Sequence, residues 1–423
     1  MGRVALHMQF VARHRSAHRR HRMTPKKQSV LSGIKVLDMS RILAGPWCAM
    51  ALGDLGADVI KVENPDGGDD TRHLGTAIQG GERTYYLCVN RNKRSIAIDF
   101  RTPEGQKIIK DLAAQSDVFI ENYKLGDLAR YGLDYESLRA LNPRLVYLSI
   151  SGYGREGSNA ARLGYDFILQ GESGLMSVTG DPDGPPMKVG VPFVDITTGT
   201  YAAQAVLAAL LAREKTGEGQ LIDIALFDCA LANLSIIASN ALLLGTVPRR
   251  YGNTHVDISP YETFPCSDGD IIITVANDAQ FQRLCQALGR PDLAADPRFL
   301  TNDGRLKNKL ALRKLLITCL ATRTRDQWYE ALREVDVAAG SVRNVSEAIE
   351  VAAGSGREMV VEVPHPTAGS VKLIGSPIKL RGTPVEPTVA PPTLGQHTDE
   401  ILRESLGLEP KRIEELRNKG AVA

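Results

Sequence analysis

The sequence predicts an α/β protein in which a doubly wound parallel sheet, Rossmann-like, forms a large domain and a smaller α+β domain follows. Three observations carry this. Short β-rich runs alternate with helical runs through residues 34–225, as strand–helix–strand units do. A break at Thr246–Gly252 separates that pattern from a mixed section reaching Glu350. The chain of 423 residues is long enough for two or three domains with a sizeable core.

Taken in order, Ile34–Met39 reads as a buried strand, and Pro46 is expected at the first position of the following helix, where a missing N–H costs nothing. Asp58–Glu63 is the second strand, Ser95–Phe100 the third and Asp117–Glu121 the fourth, preceded by a helix beginning near Pro103. Leu145–Ser151 makes the fifth. Between Gly171 and Val191 the composition turns to Gly, Pro, Ser and Asp, which marks loops. A long Ala/Leu-rich helix then runs to Gly217, followed by a strand at Leu221–Ala225 and an apolar helix to about Leu244. The mixed section carries a strand at Asp270–Ala276 and three helical stretches. Met359–Pro392 is rich in β-branched residues and proline, and the chain closes on two short helices expected to pack back on the first unit. The expected division is a basic N-terminal extension (1–23), a first part of the large domain (24–225), a linker helix with the small domain (226–350), and a segment returning to the large domain (351–423). No internal repeat is visible.

With 43% hydrophobic and 24% charged residues the composition is that of a globular protein. No apolar run reaches about 18 residues without polar breaks, so no membrane span is expected. The six cysteines are scattered, with no CxxC pair and no histidine close enough for a zinc pattern, and they read as reduced thiols of a cytoplasmic protein. The net charge of +2 is concentrated at one end: residues 1–22 hold six arginines, four of the eight histidines and no acid. Without those arginines 45 basic residues face 49 acidic ones, which gives no electrostatic case for nucleic acid. The extension reads as a transit peptide to the mitochondrial matrix, as a nucleic-acid-binding tail, or as residues upstream of a start at Met23. Its single serine and clustered histidines favour the last.

Asp195 stands between a short apolar stretch (Val189–Val194) and the long helix. It reads either as a helix N-cap, whose loss costs about 1 kcal/mol, or as a nucleophile kept ionised by the helix N-terminus and stripped of water by apolar neighbours. Residues 152–157 fit GxGxxG after a strand, yet Gly164 interrupts any following helix, and the first βα turn (Ser40–Pro46) lacks the pattern. A nicotinamide or flavin enzyme is therefore disfavoured. There is no Walker loop, no GxSxG elbow and no HExxH; His255 is the best histidine for a site role.

Read together, several ordered segments carry a resemblance: GIKVLDMSRILAGPW (33–47), LGADVIKVENP (55–65), NRNKRSIAID (90–99), DVFIENY (117–123), NPRLVYLSISGYG (142–154), GYD (164–166), REKTGEGQ (213–220) and LGQHTDEIL (394–402). The chain resembles the family III CoA-transferases, the group that includes formyl-CoA transferase and carnitine CoA-transferase, from about Gly33 to the C-terminus. The resemblance implies that Asp195 is the nucleophile, passing through an aspartyl anhydride and an aspartyl-CoA thioester. It implies coenzyme A contacts at Ile42, Leu43, Ala44, Ile98, Arg101, Asn122, Tyr123, Lys124 and Arg130, with Tyr165 and Asp166 nearer the thioester. It also implies an interlocked homodimer, no bound cofactor or metal, and acyl-CoA with a carboxylic acid as the small-molecule partners. Guanidinium forks at Arg101 and Arg130 suit phosphates.

Formyl-CoA transferase-like members have glutamine where Leu43 stands, arginine where Asn64 stands, and a run of glycines as a lid. Here the corresponding lid segment contains Gly252, Asn253 and His255, which argues against formate or oxalate. The wording RILAGP, NRNKRSIA and LGQHT is closer to the succinyl-CoA:glutarate branch and implies a dicarboxylate, whose distal carboxylate Arg41 or His255 could hold. The alternatives are an α-methylacyl-CoA racemase-like enzyme, disfavoured because Tyr165 rather than histidine precedes Asp166, and a non-catalytic CoA-binding protein in which Asp195 is only a cap.

Overall fold

The computed structural model describes residues 28–423, so the readings of the basic extension lie outside the described residues. Strands β1 (Lys35–Asp38), β2 (Asp58–Glu63), β3 (Lys93–Ala97), β4 (Val118–Glu121), β5 (Val146–Ser151) and β6 (Leu221–Ala225) form one sheet in the order β3-β2-β1-β4-β5-β6. Every neighbouring pair is parallel. Parallel neighbours need crossovers, and the connecting helices are α1 (Ala44–Asp54), α2 (Thr84–Leu87), α3 (Pro103–Ala113), α4 (Tyr135–Leu141), α5 (Asp166–Glu172) and α6 (Phe193–Thr216). Successive strand side chains point to opposite faces. Val36, Val59 and Val118 therefore join the core built with α1 and α6, while Leu37, Ile60 and Phe119 join the one built with α3 and α4.

Local chemistry sets the element ends. Thr102 caps α3, its hydroxyl accepting from Gly105 N–H at 3.0 Å, with Pro103 at the first helical position. Pro46 is not at the first position of α1 but two residues inside it; the first turn of a helix has no use for its N–H groups, so the helix tolerates proline there as well. β3 lies about two residues ahead of its expected place. Ile98 is bridged instead to Val422, and Asp99 N–H donates to the Ala421 carbonyl at 2.9 Å.

The GxGxxG segment forms turns and leads into no helix until α5, as its context suggested. Its first glycine packs on Gly164: a Cβ on Gly152 would stand 2.7 Å from the Gly164 Cα, so the two glycines pinch the base of the loop between them. By length and composition α6 could cross a bilayer. It instead buries Val194, Ala202, Val206 and Ala209 against α1 and the sheet. The crossing with α1 is closest at Gly199, where an added Cβ would lie 2.5 Å from the Ala44 carbonyl oxygen and 2.9 Å from the Trp47 Cβ.

The apolar run after β6 is two helices, α7 (Leu226–Ala232) and α8 (Ser235–Leu244), bent by 78°. Beyond them β7 (Tyr261–Cys266), β8 (Gly269–Thr274) and β9 (Ala338–Ser341) make an antiparallel sheet in the order β7-β8-β9. Its core is Phe264, Ile271, Phe281, Leu316 and Trp328, shared with α9 (Asp278–Ala287), α10 (Pro291–Ala295), α12 (Lys309–Leu320) and α13 (Arg325–Glu334), while α11 (Asn302–Lys307) leads into α12. The sequence reading anticipated β8 and three helical stretches there, but not β7 or β9. Helix α14 (Val345–Gly354) leads to a hairpin of β10 (Val360–His365) and β11 (Gly369–Ile374). Finally α15 (Thr398–Leu406) and α16 (Pro410–Asn418) pack Ile401, Leu402, Ile413 and Leu416 onto the α3 face of the large sheet.

Candidate active site

The strand order reverses between β1 and β4, and open parallel sheets bind ligands in the crevice outside the carboxyl ends of the strands at that point. The two loops leaving those strands are tied there: Asn122 accepts the Arg41 N–H at 2.9 Å and donates to the Arg41 carbonyl at 2.8 Å. A cleft of about 270 Å³ opens beside this clamp. Ile42, Leu43 and Ala44 form one wall, Asn122, Tyr123 and Lys124 a second. Arg162, Tyr165, Asp195 and Leu226 close the remaining side. Segments more than 150 residues apart thus converge on one aspartate.

Asp195 is not the helix cap. It is the third residue of α6, whose N-cap position is Pro192, a residue with no side-chain acceptor. The cap is supplied by Asp166, whose Oδ1 accepts the N–H groups of Val194 at 2.8 Å and Asp195 at 3.2 Å, the two amides an N-cap side chain normally takes. Gln170, one turn on in α5, fixes that carboxylate by donating to its other oxygen at 2.8 Å, and is itself held by accepting the Val189 N–H at 2.8 Å. Among the described residues no hydrogen bond engages the Asp195 carboxylate.

This arrangement reverses the expected electrostatics. The first-turn amides that could have kept Asp195 ionised are spent on Asp166, so burial and then the Asp166 charge push the Asp195 carboxyl up from 3.8 to about 7. The folded protein therefore binds this proton more tightly than the unfolded chain, and its stability falls as pH rises across the window from about 4 to about 7. Asp195→Asn removes that penalty, and thermal melts are expected to show it more stable than the parent at about pH 8 and equal to it at about pH 4. In the parent, kcat/KM for an acyl-CoA is expected to rise with pH through about 7 as the free carboxylate forms. A flat profile there counts against Asp195 as the titrating group.

A second hollow adjoins the cleft, with Arg41 and Tyr123 between them, and Ile98 and Arg101 line it. The Arg41 guanidinium stacks over the Tyr123 ring at 4.8 Å, and Tyr123 sits edge-on to Phe100. Arg101 is held bidentately by Asp99 (2.8 and 2.9 Å), and Arg130 lies outside both linings, paired with Asp127. Both arginines are largely exposed, so either would have to exchange its carboxylate for a phosphate.

Gly252, Asn253 and His255 are not brought to Asp195 within this chain: none lines the cleft. Arg250 explains the placement by donating to three carbonyls of the 177–184 loop, Ser177, Asp181 and Gly184. His255 Nδ1 accepts the Asp257 N–H and its ring lies 5.1 Å from Tyr261, so it is occupied locally. The sequence reading also missed Gln170, which the four-residue spacing from Asp166 on a helix could have suggested. It missed Tyr85, whose hydroxyl is pushed up by burial and by the nearby charge of Asp195, and which local sequence gave no means to find.

The family model for CoA-transferase family III matches residues 31–398. The succinate–glutarate CoA-transferase of Agrobacterium fabrum is 44% identical over 386 residues, covering 90% of this chain and 96% of that protein. Human succinyl-CoA:glutarate CoA-transferase is 41% identical over 392 residues, covering 93% and 90%. A crystal structure of a CAIB/BAIF family protein from Brucella suis superposes with a TM-score of 0.83 at 43% identity, covering 90% of this chain and all of that one.

Proposed function

The chain belongs to CoA-transferase family III, and from that premise we propose that it moves coenzyme A from succinyl-CoA to a dicarboxylic acid of the glutarate class, with Asp195 as the covalent nucleophile. The observation that carries the reading is a carboxylate free of hydrogen bonds, half-buried in the cleft at the sheet's switch point. The names of the two relatives at 44% and 41% identity support the substrate pair.

The steps balance without any outside reagent. An Asp195 oxygen attacks the thioester carbonyl, the C–S bond breaks, and the CoA thiolate leaves an aspartyl–succinyl anhydride. The thiolate then attacks the Asp195 carbonyl of that anhydride, releasing succinate and forming an aspartyl-CoA thioester. The acceptor carboxylate reverses both steps and departs as the new acyl-CoA, restoring Asp195. Thioester and anhydride must be kept from water, and a half-buried Asp195 suits that demand. Ile42, Leu43 and Ala44 with Asn122, Tyr123 and Lys124 would hold the pantetheine arm, and Ile98, Arg101 and Arg130 the nucleotide end. Tyr165 lies on the acyl side.

A racemase reading is disfavoured by Asp166, which is engaged by two backbone amides and Gln170 and is not free to act as a base. The same premise supports the interlocked homodimer. Ile236, Leu242, Leu243 and Leu244 on α8 are 66%, 85%, 83% and 68% exposed, an apolar surface that a single chain leaves uncovered. Light scattering should give twice the chain mass.

The test is incubation with succinyl-CoA alone, trapping with borohydride or hydroxylamine, and peptide mass spectrometry. The adduct is expected on the peptide holding Asp195. An adduct elsewhere, or deuterium exchange at Cα without CoA transfer, overturns the reading.

A further inference from the structure

Ile42 has a φ of +70°. A β-branched residue does not adopt that conformation unless its surroundings enforce it, and here two buried charges grip the turn from either side. Lys61, on β2, donates from Nζ to the Ser40 carbonyl at 2.9 Å and to Asp69 at 2.8 Å. Asp69 accepts the Ile42 N–H with both oxygens at 3.3 Å, and it also takes the Thr71 N–H at 3.0 Å and the Thr71 hydroxyl at 2.8 Å. The two side chains are 0% and 1% exposed. Burial alone would push both toward their neutral forms. Their mutual attraction overrides it, holding Asp69 well below and Lys61 above their ordinary ranges.

An ion pair buried this deeply is weakly explained by stability, since a well-packed apolar pair of similar volume does as well or better. What distinguishes this one is the backbone it holds. The gripped residues run straight into the cleft wall formed by Ile42, Leu43 and Ala44, and glycine, which takes a positive φ without help, is absent from the strained position. Isoleucine keeps a side chain in the cleft wall at the cost of a conformation that must be imposed.

We propose that Lys61 and Asp69 are positioning residues: their buried pair holds Ser40–Leu43 in the shape that receives the coenzyme A moiety of the thioester. This rests on the reading of the cleft as the coenzyme A site.

Replacing both, Lys61→Met with Asp69→Leu, strands no charge, so the fold is expected to survive. KM for succinyl-CoA should rise on the order of tenfold, about 1.4 kcal/mol, with kcat within about threefold. An unchanged KM overturns the proposal. The second measurement is a double-mutant cycle. Asp69→Asn should raise KM by about tenfold in the parent but by less than about threefold in an Ile42→Gly background, where glycine adopts the turn unaided. Equal penalties in both backgrounds would assign the pair a purely structural role. Transfer from succinyl-CoA to glutarate by the parent enzyme is measured alongside. Its absence sinks the coenzyme A reading, whereas its presence with unperturbed variants sinks only the positioning role.

Discussion

Asp195→Asn is expected to lower CoA transfer by on the order of 10⁴-fold or more, the scale seen when a covalent nucleophile is removed. The substitution preserves shape, and the cap on α6 is untouched because Asp166 supplies it. Free coenzyme A should therefore bind within about threefold of the parent by titration calorimetry, as expected when only an interaction made in the chemical step is lost. The same variant is predicted above to be more stable at about pH 8, so a loss of activity cannot be charged to unfolding. Retention of more than about a tenth of the parent rate would show that Asp195 does not carry the acyl group. Asp166→Ala separates the roles further. It leaves two amides of α6 without their acceptor and so acts on the position and charge of Asp195, not on its presence.

Gly199→Val should be damaging although it lies away from the cleft. An added Cβ alone meets the Ala44 carbonyl oxygen at 2.5 Å and Trp47 at 2.9 Å, and backbone on one side cannot yield as a flexible side chain can. Overpacking costs about 1–3 kcal/mol and occasionally more, which for a chain of this size is a fall in Tm of about 1–3 °C. The damage should reach activity too, because α1 begins at the Ala44 wall of the cleft and α6 begins two residues before Asp195. Separating the helices moves the Ala44 wall of the cleft away from Asp195. Gly190→Ala is the control: that glycine has open space around it and lies just ahead of α6, and both Tm and kcat/KM should stay close to the parent. If Gly199→Val melts with the parent, the helix crossing yields to the added methyl groups and is not a close backbone contact.

The large sheet was legible because its strands are short β-rich runs bounded by turn residues, so β2 and β6 fall where those runs do. The smaller antiparallel sheet was not. β9 is Ala-Ala-Gly-Ser, and β7 ends on Pro265 and Cys266, so neither bears the β-branched alternation that marks a strand. At the site, the resemblance singled out Asp195, but the local pattern gave it the wrong structural part. The true cap stands 28 residues away from Val194 in sequence and is set by a tertiary contact. The place of His255 within one chain was hidden for a related reason. Its position depends on Arg250 reaching carbonyls about 70 residues earlier, which no local pattern encodes. Lys61 and Asp69 went unnoticed because a charged residue in a strand run or in a Gly/Asp-rich turn reads as solvated, whereas here the two are buried together.

The outer edge of β3 has a consequence for how the molecule comes into being. Ser95 and Ala97 make their edge contacts with His397 and Thr398, some 301 residues further along, and Ile98 and Asp99 make theirs with Val422 and Ala421. During synthesis that strand has neighbours on one side only, its remaining amides and carbonyls exposed to any other extended chain. Closing so long a loop is slow. The hollow beside Ile98 and Arg101 is therefore among the last features to take shape. The nascent chain is most vulnerable to aggregation in that interval, and a chaperone that shields the β3 edge would raise the yield of active protein without altering its final stability.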